Sequence, residues 1–114
     1  MNGFAYCVAV HTMGGGMPGL SDAVVEAIRD GKPIPDVRLA ALSGFATAVV
    51  EKRGWVSDAE IAAFLDAGFT KAQVFEVVLA VSLKTLSNDI NHIADTPLDA
   101  ALEAHRWTRP AAAA

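Results

Sequence analysis

Cys7 and His11 are the two residues of this chain whose types and spacing could do chemistry together. Cys7 is the only cysteine, and His11 follows it four positions later. If this stretch is helical, the two side chains lie on one face in successive turns. An imidazole within reach of a thiol can take its proton and hold the sulfur as a thiolate, which is the nucleophilic and oxidisable form. The pattern therefore predicts a thiol site with Cys7 as nucleophile and His11 as proton relay.

These two residues also leave a structural alternative open. A lone cysteine in an apolar helix is commonly a small buried hydrophobic residue without reactivity. A position near the start of its helix favours the reactive interpretation, because the positive end of the helix dipole stabilises a thiolate. His11 gains a functional interpretation only through its spacing to Cys7.

The elements that must position this pair are predicted to be helices throughout, which assigns the chain to the all-α class. Capping residues at helix starts and glycines at helix ends mark the boundaries. The predicted helices run from Ser21 to Gly31, from Asp36 to about residue 53, from Ser57 to Gly68, from Thr70 to about Ile93, and from Pro97, capped by Thr96, through Leu102. The first helix either stops near Met13, before Gly14–Gly16 and Pro18, or continues only because packing holds it.

Length and composition predict one helical domain over residues 1–108, followed by a frayed tail at 109–114. Hydrophobic residues make up 53% of the chain, and the mean hydropathy is +0.34. A single small domain has too little interior for so much apolar surface. The apolar runs, such as residues 77–83, are much shorter than the ~20 residues of a membrane span. We therefore expect a homo-oligomer and no membrane partner.

Charge and cysteine content exclude other classes of partner and site. A net charge of −4 with scattered basic residues argues against nucleic acid. The N-terminus lacks signal-peptide features and a single cysteine suits a reducing compartment, so a cytoplasmic location is expected. No cofactor is expected, and no metal site, because the three histidines and Cys7 lack metal-ligand spacing.

Three segments of the chain carry a resemblance to a known family. They are residues 6–12 (Tyr-Cys-Val-Ala-Val-His-Thr) followed by Gly19-Leu20, residues 84–88 with 91–93, and residues 96–99. Together they resemble the carboxymuconolactone decarboxylase and alkylhydroperoxidase D-like family. Its peroxidase members carry C-x-x-C-x-x-x-H, in which Cys7 falls on the second cysteine and His11 on the histidine, while Phe4 stands where the first cysteine would be.

The resemblance implies an all-helical alkylhydroperoxidase D-like domain, an obligate oligomer (trimer, dimer or hexamer) that reduces peroxides with a thiol. The implied partners are a hydroperoxide and an external thiol reductant, because Phe4 cannot resolve an oxidised sulfur. The family's upstream glutamate has no counterpart, since only six residues precede Cys7. The chain is therefore expected to be a short version or a branch without the two-cysteine cycle. The alternative is a non-catalytic oligomeric scaffold of the same family.

A second set of polar residues is predicted to bind substrate. Asn88 and His92 share one face near the end of the helix that starts after Thr70, and Tyr6 adjoins Cys7. The alternative for the helix end is a polar surface at solvent or at a subunit interface. The third function considered is the lactone decarboxylation that names the family. It needs a cation for the substrate carboxylate, and the candidates by type are Arg29, Arg38 and Lys84.

Overall fold

The computed structural model describes residues 5–15 and 19–108, and all regular structure in these ranges is helical. The elements are α1 (Ala5–Gly15), α2 (Asp22–Asp30), α3 (Val37–Glu51), α4 (Asp58–Asp66), α5 (Lys71–Ile93) and a 3-10 helix (Ala100–His105). The predicted all-α class is confirmed for these residues. The predictions that concern Phe4 and the tail at 109–114 lie outside the described residues.

Most helix ends follow local signals in the sequence. Ser57 and Glu60 form a complete capping box at the start of α4. At the start of α5, Thr70 and Gln73 exchange two bonds in the same way, of 2.9 and 3.2 Å. Gly31 ends α2 in the left-handed conformation, with φ +67°. Each of these groups bonds a backbone N–H or carbonyl that the helix itself leaves without a partner.

Two helix boundaries differ from the sequence predictions, and a third selects one of the two alternatives given for the first helix. The last helix begins at Ala100, not at Pro97, because Thr96 donates its hydroxyl to Oδ1 of Asn91 at 3.0 Å and closes a turn after α5. The end of α3 is at Glu51, two residues early. The first helix continues past Met13 to Gly15. A Cβ at residue 15 would lie 3.1 Å from Cγ2 of Val25, so glycine allows α1 to approach α2 closely there.

The chain divides into two compact units, and the single-domain expectation for residues 1–108 stays a prediction. Unit 1 comprises the described residues up to Pro33 and from Ser87 onward. Its buried side chains are small or aliphatic: Cys7, Ala9, Val24, Ala27 and Leu102. Arg29 joins three of its elements: the guanidinium donates to the carbonyls of His105 at 3.2 Å and Arg106 at 2.7 Å, and to the Thr12 hydroxyl at 3.3 Å.

Unit 2 comprises Ile34–Leu86 and has an aromatic core. Phe64, only 1% exposed, stacks on Phe45 and on Phe69, with ring centroids 4.5 and 4.3 Å away. The guanidinium of Arg38 lies 4.6 Å from the centroid of the Phe69 ring, which is a cation–π contact. This stack fixes α3 and α4 against each other.

Candidate functional site

Helix α1 places Cys7 and His11 one turn apart, as their spacing requires. The two side chains have opposite environments. Cys7 is 7% exposed and belongs to the buried side chains of unit 1, whereas His11 is exposed. The other buried side chains of unit 1 are all apolar: Ala9, Val24, Ala27 and Leu102.

The imidazole of His11 is bound to the backbone of Cys7. Its Nδ1 lies 2.8 Å from the Cys7 carbonyl oxygen. Because a carbonyl oxygen can only accept, the proton of the neutral ring is on Nδ1, and Nε2 is the nitrogen with the free lone pair. Within the described part of the chain, no hydrogen bond joins the Cys7 sulfur to this ring. In this arrangement neither ring nitrogen of His11 is hydrogen-bonded to the Cys7 thiol, so the ring does not take the thiol proton directly.

The predicted substrate-binding residues all belong to unit 1, on helices α1 and α5. Asn88 is half-buried, and its Oδ1 is fully buried without a hydrogen-bond partner among the described residues. His92 is exposed and Tyr6 is half-buried. Their binding role stays a prediction.

Their neighbour Asn91 has a structural role. Its Nδ2 donates to the Ser87 carbonyl at 2.9 Å, and its Oδ1 accepts from Thr96. Asn91 therefore closes the turn that follows α5.

Two of the three cations considered for a lactone carboxylate already contact other groups of the chain. The guanidinium of Arg29 donates hydrogen bonds to the end of the 3-10 helix and to Thr12. Arg38 stacks on Phe69. The sequence has no local signal for the role of Arg29, because its carbonyl partners are 76 and 77 residues away.

Two cavities of the described chain are lined by residues of unit 2 alone. Two apolar clefts of about 210 Å³ each occur in unit 2, one lined by Ala41, Gly44 and Phe64 among others, the other by Leu42, Phe69 and Val77 among others. Neither is lined by Cys7, His11 or the other predicted site residues. A search of the described residues finds no group of three or more His, Cys, Asp or Glu side chains that could hold a metal ion.

Glu60 is the charged residue at the first cleft, and its carboxylate is already engaged. Lys52 donates to its two oxygens at 2.7 and 2.9 Å, and Ser57 donates both its backbone N–H and its hydroxyl at 2.8 Å. The Lys52 ammonium and then the Ser57 donors lower the pKa of Glu60 from 4.5 to about 2. Glu60 therefore serves the start of α4 and leaves the cleft without a free polar group of its own.

The most extensive unusual surface is on α5. Five of its large apolar side chains in unit 2 are exposed, and we call them the outer face of α5: Phe75, Val78, Leu79, Leu83 and Leu86. The opposite side of the helix packs into the unit 2 core through Val74, Val77 and Val81. A helix with apolar residues on both of these sides is typical of a central helix or a subunit interface.

The described chain contains no helix that is both long and apolar enough to cross a bilayer. Comparison with known proteins adds no assignment: no protein-family model and no curated protein sequence matches this chain.

Proposed function

We propose that this chain is an assembly protein, an all-α module that binds further copies of itself and performs no thiol catalysis. The observation that carries the proposal is the imbalance between buried and exposed apolar residues. Among the described residues, nine hydrophobic side chains are buried, whereas twelve large ones are at least 41% exposed. Exposed apolar surface on this scale is typical of proteins that bury it against a partner.

The state of the thiol supports the non-catalytic part of the proposal. A reactive cysteine needs access to its substrate and groups that stabilise the thiolate. The Cys7 side chain is buried, and the histidine one turn further along α1 uses Nδ1 on the backbone. Both features suit a cysteine that acts as a small core residue.

Sedimentation equilibrium tests the assembly. We expect a mass of at least twice the 11.9 kDa of one chain at micromolar concentrations. A monomer at every concentration up to ~100 μM, equivalent to binding weaker than about −5.5 kcal/mol, would contradict the proposal.

Thiol labelling tests the absence of catalysis. We expect a disulfide reagent to modify Cys7 at least ~100-fold more slowly in the folded protein than in denaturant, because local opening must precede reaction. The matched control is Ser21→Cys in a Cys7→Ser background, since Ser21 is exposed and makes no side-chain capping bond. Labelling of folded Cys7 as fast as the control thiol would contradict a closed site.

A second candidate function is thiol-dependent peroxide reduction, and the observation in its favour is that α1 carries Cys7 and His11 one turn apart with Nε2 free. In this chemistry the thiolate attacks a peroxide oxygen, the O–O bond breaks, and the alkoxide takes a proton to leave as an alcohol. An external thiol then reduces the sulfenic acid, with release of water and formation of a mixed disulfide that a second thiol resolves. The expected cytoplasmic location would supply these thiols.

A peroxide-consumption assay separates the two functions. The assembly proposal expects wild type, Cys7→Ser and His11→Ala to consume peroxide at the same background rate. The peroxidase proposal expects turnover with an added thiol, its loss in Cys7→Ser, and a decrease of roughly 100-fold or more in His11→Ala, which removes the proton relay.

A further inference from the structure

The outer face of α5 has the composition of a buried helix face although it is exposed. Phe75 is 74% exposed, and Leu79, Leu83 and Leu86 are each 59–60% exposed. In water, these side chains lack the favourable free energy that their burial against a partner would supply.

The spacing along the face is that of a helix pair. Leu79, Leu83 and Leu86 are separated by four and then three residues along α5. An apolar repeat averaging 3.5 residues keeps one narrow stripe facing a partner helix over several turns. The opposite side of α5 is already packed in unit 2, so this stripe is a second apolar face that the unit 2 core does not use.

We propose that the outer face of α5 is the surface on which a second copy of this chain docks, through its own α5. The inference rests on the proposed function and names the surface that performs it. A two-fold axis would set the same residues of the two stripes against each other, as in an isologous dimer.

The available area fits this occupant. At roughly 100 Å² for each exposed side chain, the five residues supply about 500 Å² per copy and about 1,000 Å² in a pair, which is the lower limit for a specific interface.

The charges on α5 argue against a lipid surface as the occupant. Helices that lie on membranes carry an excess of Lys and Arg along the polar side of the apolar face. Helix α5 has two basic residues, Lys71 and Lys84, and two acidic ones, Glu76 and Asp89. The chain as a whole is negative, at −4, and would be repelled by anionic lipid.

The test is the double variant Leu79→Lys/Leu83→Lys, which places two like charges per copy on the face. Both sites are exposed, so each copy should keep its helix content by circular dichroism. The matched control is Val37→Lys/Trp55→Lys, which removes two exposed apolar side chains of unit 2 outside α5, at 82% and 85% exposure. By sedimentation, we expect the α5 variant to raise the self-dissociation constant by about 100-fold or more, and the control by less than ~3-fold.

Each other result overturns a defined part of the proposal. An oligomeric wild type that both variants weaken equally, or neither weakens, removes α5 as the interface and leaves the assembly proposal standing. A monomeric wild type removes both. A monomeric wild type that co-sediments with phosphatidylcholine–phosphatidylglycerol vesicles, and loses this in the α5 variant, assigns the face to lipid. If the lysine variant unfolds, Leu79→Gln/Leu83→Gln replaces it, with an expected weakening of about 10-fold.

Discussion

At the residue scale, one nitrogen of His11 largely determines what the N-terminal helix can do. A histidine four residues after a cysteine can reach either the sulfur or the backbone carbonyl of the preceding turn. Here Nδ1–H donates to the Cys7 carbonyl. This bond holds the ring on the helix surface and leaves only Nε2 for proton exchange. A general base for the thiol would require the ring to leave this rotamer and the buried sulfur to become accessible.

Glu60 provides a prediction at the same scale. Its carboxylate has a pKa of about 2, held below 4.5 first by the Lys52 ammonium and then by the Ser57 donors. Because the pKa is lower in the folded state, the stabilisation is complete above about pH 5 and is lost as the pH falls from 4.5 toward 2. We expect Glu60→Gln to be less stable than wild type at pH 7, and the difference to shrink through this window and vanish near pH 2.

Denaturant unfolding of both proteins between pH 2 and pH 7 measures this. The matched control is Asp58→Asn, which removes another carboxylate from the first turn of α4. A stability difference for Glu60→Gln that is constant over the whole range would show that its ionised carboxylate does not stabilise α4.

At the element scale, local capping explains where most helices begin, but the 3-10 helix depends on a distant residue. Its last carbonyls cannot be bonded within the element. The Arg29 guanidinium, near the end of α2, supplies the missing donors: it donates to the carbonyls of His105 and Arg106. A planar guanidinium can bond two such acceptors and the Thr12 hydroxyl at once, whereas an ammonium is a single point charge.

We therefore expect Arg29→Met to lower the free energy of unfolding of unit 1 by about 1–3 kcal/mol, because it leaves two carbonyls without a charged donor. Arg29→Lys should recover part of this loss. Hydrogen exchange of residues 100–105 should accelerate in the Met variant. Arg53→Met, at an exposed position after α3, is the control and should change neither quantity. Unchanged exchange in Arg29→Met would mean that packing of Leu102 alone holds the 3-10 helix.

At the scale of the whole molecule, each unit has a small core and a large apolar surface. Unit 2 is centred on a single fully buried large side chain, Phe64, and carries the exposed outer face of α5. Small domains with few buried side chains are marginally stable, and association adds the missing burial. Folding and assembly are then coupled.

This coupling predicts a thermal midpoint that depends on protein concentration. For a pair of chains we expect the midpoint of wild type to rise by about 3 °C for each tenfold increase in concentration, since association favours the folded state by mass action. The variant Leu79→Lys/Leu83→Lys should melt at a temperature independent of concentration. Scanning calorimetry over a hundredfold range measures both, and a constant wild-type midpoint would contradict coupled assembly.

The sequence by itself determined the all-α class and most helix ends. The capping pairs Ser57–Glu60 and Thr70–Gln73 join residues three apart, so their geometry is local and readable without a fold. The same holds for the Cys7–His11 spacing, which needed only a helix. Local signals predicted the start of the last helix at Pro97, three residues before its actual start. The hydroxyl of Thr96 bonds Asn91 across the turn that ends α5 and does not cap a helix.

Only the tertiary structure decided which chemistry these residues are free to do. The burial of Cys7 and the engagement of Arg29 depend on contacts between segments far apart in the chain. The composition predicted that apolar surface must be covered, and the fold determined which apolar residues of α5 stay outside. Spacing fixes which side chains share a helix face, whereas access to a side chain is set by what packs against it, and that is a property of the folded chain alone.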